Sequence, residues 1–142
     1  IYIVDSTTRA QLGGVVTAGG SVLVQANDDA DFLMVAGSVA IGQKKGIGAA
    51  ASILIHDDTV EAYIDQNAIV DAGGAATLKA LTGQQDGNGN SLTRDITGVA
   101  VVATSNENIL TVAAGAAGGK TVGLQGSAVV MLLDKNTNAH IN

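Results

Sequence analysis

The sequence predicts an all-β chain folded as a parallel β-solenoid, with hairpin excursions from its coils. Three observations carry this. Segment 32–65 aligns without a gap on segment 109–142, and Leu33/Leu110, Val35/Val112, Gly42/Gly119, Gly46/Gly123, Asp57/Asp134 and Ile64/Ile141 are among the identical pairs. Hydrophobic residues reach 46% while aromatics stay at 2%, so the apolar mass is Ala, Val, Ile and Leu. The apolar runs are short and broken by Gly, Asn, Asp and Thr, the punctuation of strands and turns. Self-similarity marks an array whose units bury apolar faces on each other. A core without aromatics, each of which buries a large area, has to be thin and made of many small contacts.

Taken along the chain, residues 21–26, 75–80, 98–103 and 109–113 are β-favouring runs. The Ala-rich pieces 49–51 and 113–117 also read as strand, because flanking Gly and following Val and Ile work against a helix. Residues 47–55 and 122–133 are apolar or tiny on both faces, the pattern of a strand buried on both sides. A loop, a hairpin or a second copy of the chain has to cover the outer face. Residues 35–41 and 47–55, joined by Gly42-Gln43-Lys44-Lys45-Gly46, read as such a hairpin, with Gly118-Gly119-Lys120-Thr121 as the counterpart turn.

Spacing sets the expected coil. One motif recurs as Tyr2-Ile3, Tyr63-Ile64 and His140-Ile141, at spacings of 61 and then 77. A second, Ala18-Gly19-Gly20, recurs as Ala72-Gly73-Gly74 at a spacing of 54. Division by a coil of roughly 18 to 20 residues gives three, four and three turns, hence about seven coils in all. The residues expected to face inward are Val22, Val24, Val35, Ile53, Ile55, Ile64, Leu78, Val99, Val101, Leu110, Val112, Val130, Leu132 and Ile141. Residues 1–142 read as a single solenoid segment of a longer repetitive chain, since the pattern is already running at Ile1 and still running at Asn142.

Composition excludes several functions. A net charge of −6 with seven scattered basic residues is the wrong balance for nucleic acid. The absence of cysteine removes disulfides, thiolate metal sites and cysteine nucleophiles together. No apolar run approaches the roughly 18 residues of a membrane-spanning helix.

The stretch from Val35 to Ile64, V-A-G-x-x-x-x-G-x-x-x-G-I-G-A-x-x-S-I followed by T-x-E-A-Y-I, resembles repeats of giant bacterial surface proteins, the filamentous-haemagglutinin-like adhesins and autotransporter passenger domains exported by type V secretion. Residues 95–100 running into 104–108 are similar to the same material. The resemblance implies a right-handed parallel β-helix, secreted or displayed on the cell surface, that serves as the shaft of an extracellular adhesin or fibre. It also implies no catalytic residues and no cofactor. The partners it implies are neighbouring repeats, other copies of the chain, and a cell-surface ligand that no residue here specifies.

Each candidate for chemistry has a plainer reading beside it. Asp86, Asn88 and Asn90 place oxygen ligands at alternate positions, like the first half of a calcium loop. The second half fails, with Ser91 at the turn-glycine position and Thr97 where a bidentate Glu belongs, so a Gly/Asn surface turn explains the same residues. The cluster 27–31 and its counterpart 104–108 read as matched, solvated turns, with a weak cation site as the alternative. His56-Asp57-Asp58 has the form of a base with an orienting carboxylate, but the other repeat carries Leu133-Asp134-Lys135. His140 falls where Tyr63 and Tyr2 fall, as a column of planar side chains would require. Polysaccharide-active enzymes also use β-helices and are the enzymatic alternative; they need converging charges and aromatic sugar platforms, which are sparse here. The expectation is a structural module and not an enzyme.

Overall fold

A computed structural model describes residues 1–142. It contains nine strands and no helix: β1 (Tyr2–Leu12), β2 (Val15–Ala18), β3 (Val22–Gly42), β4 (Lys45–Ile64), β5 (Ile69–Ala72), β6 (Leu78–Gln85), β7 (Ser91–Ile96), β8 (Val99–Gly119) and β9 (Val122–Ile141). The chain is therefore all-β, and no helix is long and apolar enough to cross a membrane. Strands far apart in sequence pair in the orders β1-β4-β9, β2-β5 and β3-β8, whereas β6 and β7 pair with each other.

The register corrects the expected short coil. β2 and β5 are parallel, with Val15 opposite Ile69 and Ala18 opposite Ala72, so the spacing of 54 is one step of pairing and not three turns. Side chains at a spacing of 77 meet directly between β3 and β8, so that spacing is also one step. The longer step contains the antiparallel β6–β7 hairpin, with Leu78 opposite Ile96 and a register irregularity between Leu81 and Gln85. Ser21 holds both ends of this excursion. Its hydroxyl donates to the Ala76 carbonyl at 2.5 Å and accepts the Gly98 amide at 3.0 Å. Gly74, with φ +66°, and Gly98, with φ +84°, supply the left-handed backbone at its entry and exit.

The chain divides into two compact units whose boundaries fall within β1, β3, β4, β8 and β9. The unit made of Ser6–Asp29, Asp58–Asn106 and Lys135–Asn142 has a small apolar core. Ala26, Val60 and Ala62 form its buried centre, and Ala10, Val101 and Ala103 pack against it. Val24, Ile64 and Ala80 are buried in the same unit. The expectation that Val24 and Ile64 face inward holds.

The other unit comprises Ile1–Asp5, Ala30–Asp57 and Glu107–Asp134. Here two excursions, each a strand, a tight Gly/Lys turn and a strand, occupy matching places in the two aligned repeats. The expected hairpins across Gly42 and Gly119 are corrected: β3 pairs with β8 and β4 with β9, so the two arms of an excursion are not hydrogen-bonded to each other. They meet through side chains, as where the Ser52 hydroxyl lies 3.7 Å from Met34 Sδ.

This arrangement inverts the expected facing. Met34, Ala36 and Leu54 are buried, whereas Val35 is 66% exposed and Leu110 59%. Ile55 is exposed as well, and so are Val112, Val130 and Leu132, where β8 and β9 are exposed on both faces; in the other unit Leu78, Val99 and Ile141 are also exposed. The physical reason within this unit is the closeness of the arms. A Cβ on Gly48 would stand 3.0 Å from the Ala40 Cβ, and one on Gly46 would stand 2.9 Å from the Ala40 carbonyl oxygen. Gly, Ala and Ser fit between such arms at alternate positions, and the period of two sends Leu33, Val35, Val39 and Ile41 to the opposite face.

Candidate functional sites: polar rungs, a buried histidine and the hairpin loop

In the unit carrying the Ala26–Val60–Ala62 core, polar residues of β3 and β8 meet as rungs. The Thr104 hydroxyl donates to Asn27 Oδ1 at 2.6 Å, and Asn106 Nδ2 donates to Asp29 Oδ1 at 2.9 Å. Asn27 Nδ2 donates along the strand to Asp29 Oδ2 at 2.8 Å. The donors from Asn27 and then Asn106 hold the Asp29 carboxyl below the ordinary carboxylate range, against a smaller opposing effect of burial. The matched clusters 27–31 and 104–108 thus do face each other, but within strands and not at turns. Asp58, fully buried, accepts the Ser105 hydroxyl on Oδ2 at 2.5 Å. Asp28 Oδ1 accepts the hydroxyl of Thr8 at 3.2 Å. Tyr63 and His140 stack with ring centroids 5.2 Å apart and 5° between planes. The expected column holds for these two. Tyr2 does not join it, lying edge-on to Phe32 at 6.3 Å in the other unit.

In that other unit, His56 is 1% exposed, with its ring edge-on to Phe32 at 4.9 Å. Its Nε2 stands 3.8 Å from Glu107 Oε1, beyond hydrogen-bond distance, and neither ring nitrogen has a hydrogen-bond partner. Asp57, the carboxylate next to it in sequence, is exposed on the opposite face of β4 and cannot orient the imidazole. A base enclosed in this way has no open surface at which to meet a substrate. Glu107 carries no signal in the sequence as a partner of His56, because their proximity comes from two sheets facing each other and not from a pairing step.

Asp86, Asn88 and Asn90 form the loop between β6 and β7. Asp86 Oδ1 accepts the backbone amides of Asn88 at 2.8 Å and Asn90 at 2.9 Å, and Oδ2 accepts Asn90 Nδ2 at 2.9 Å. Asn90, through its side chain and then its backbone, lowers the Asp86 pKa. Gly89, at φ +84°, closes the turn with its amide on the Asp86 carbonyl at 3.0 Å. The loop's own donors therefore already engage both carboxylate oxygens of the expected calcium ligand. At the opposite, open end of the hairpin, Lys79 and Asp95 form an exposed ion pair between β6 and β7 at 2.5 Å.

No protein-family model, curated protein or solved structure matches this chain.

Proposed function

We propose that the chain is a structural β-solenoid module, the shaft or assembly unit of an extracellular adhesin or surface fibre. The observation that supports this reading is the parallel stepping of strands. β5 follows β2 in unbroken register, and β8 follows β3 through side-chain rungs at a spacing of 77. Parallel return of strands to one sheet is what a solenoid requires, and on this reading its coils number few and run long. Stability in such a frame comes from neighbouring coils, so each adds length without needing a separate core. The closed burial of His56 and the internal satisfaction of Asp86 favour a structural over a catalytic reading.

Electron microscopy of the purified chain, with and without calcium, tests the reading. Short uniform rods support a shaft; a globular particle overturns it. Ordered filaments with a repeat of about 4.8 Å along the axis mark the second form of the same proposal, a self-assembling subunit. The exposed apolar residues Leu124, Val130 and Leu132 of β9 favour that form. Surface location is tested separately, by antibody labelling of intact source cells before and after external protease.

A further inference from the structure

We infer that the outer face of β3 and β8 in the excursion unit docks on the same face of a second copy of this chain, with the two copies running antiparallel. The face presents Leu33, Val35, Val39, Ile41, Leu110 and Val112, which are 68%, 66%, 75%, 86%, 59% and 42% exposed. The inner face holds Met34 and Leu54 beside small Ala, Gly and Ser, while these larger apolar side chains turn to water, and a contiguous exposed patch of this kind marks an interface.

Charge identifies the occupant. Asp31 stands at one end of the band on the same strand face, and residues 32–43 and 108–119 hold no charged side chain. At the other end are the unit's lysines, Lys44, Lys45 and Lys120, all at or beside the two turns. A parallel copy would set lysine against lysine. An antiparallel copy sets Asp31 against the partner's lysine-bearing turns at both ends of the contact, as two-fold symmetry requires. The apolar rows between them then pack as two facing sheets. A lipid bilayer suits the face poorly. β3 and β8 form a two-stranded sheet in which each is an edge, and unpaired edge amides and carbonyls do not enter hydrocarbon.

The face exists in one copy whether or not coils continue, so the docking stands independently of the shaft reading. Sedimentation equilibrium on the whole chain tests it with three proteins: wild type, Asp31→Lys, and the double variant Lys44→Glu/Lys45→Glu. All substituted side chains are exposed, and circular dichroism checks that each variant keeps its β content. Wild type is expected to self-associate, and each variant to do so about tenfold more weakly, because the ion pairs occur twice and become repulsions. An equal mixture of the two variants is expected to restore association, because one then carries lysine at both ends and the other carboxylates. Val35→Ser/Val39→Ser is expected to abolish association. A monomeric wild type, or variants that associate as wild type does, would overturn the inference. So would a chain that stays monomeric but floats with phosphatidylcholine/phosphatidylglycerol vesicles, which would make the face lipid-binding.

Discussion

The Thr104 hydroxyl and the Asn27 carboxamide meet at 2.6 Å across 77 residues of chain, with Thr104 itself buried. Nothing between them in sequence brings them together except the pairing of β3 with β8. Thr104→Val removes the donor while keeping the shape, and is expected to cost about 1 kcal/mol. Urea denaturation measures it, and a double-mutant cycle with Asn27→Ala is expected to show coupling, since Asn27 is the acceptor.

Ile64 and Ile141 occupy equivalent places in the two repeats but opposite environments, 4% and 63% exposed. Ile64→Asp is expected to destabilise by more than about 4 kcal/mol, the scale of burying an unpaired charge. Ile141→Asp is expected to shift stability by less than about 1 kcal/mol. Thermal melts of the two variants side by side check the difference.

Gly46 is held by close backbone on two sides: a Cβ there would stand 2.5 Å from the Gly118 carbonyl oxygen and 2.9 Å from that of Ala40. Gly46→Ala is expected to cost about 1–3 kcal/mol as overpacking. A Cβ on Gly126 meets nothing within 4 Å, and Gly126→Ala is expected to be neutral on the same denaturation curve.

Asp29 links stability to pH. Its pKa is lowered in the folded chain by the donors of Asn27 and Asn106, so its contribution is complete above the unfolded value of about 4 and fades as the pH falls through the lower folded value. Asp29→Asn is expected to flatten the pH dependence of the melting temperature below about pH 4 while leaving the shape of the curve near neutrality unchanged. A wild-type curve already flat in that acid window would contradict this.

The all-β class was legible in Val, Ile and Thr runs broken by Gly and Asn, and the partnership of 32–65 with 109–142 was legible in aligned identities. Tyr63 over His140 follows from that alignment alone. The step length was not legible, because 54, 61 and 77 all divide by a short coil as readily as they stand alone. The outward facing of Val35 was not legible for a different reason: Val signals a core in most strands, and only the proximity of Gly46 and Gly48 to Ala40 reveals how closely the small residues let the arms approach. His56 and Glu107 meet across facing sheets, a relation that no spacing encodes. Asp86, Asn88 and Asn90 were visible as a polar loop, but the hydrogen bonds by which the amides of Asn88 and Asn90 reach the Asp86 carboxylate were not.

Ser21 fastens Ala76 and Gly98 to one hydroxyl, while buried Ala80 and the Leu81 amide on Gln25 Oε1 tie the base of the β6–β7 excursion to the frame, so the far turn at 86–90 is the part that can change freely. The frame thus has a splice point. Sequence can be lengthened, trimmed or exchanged at that far turn without resetting the register of β8 on β3, and this is where such a chain would diversify and where a foreign loop is best grafted.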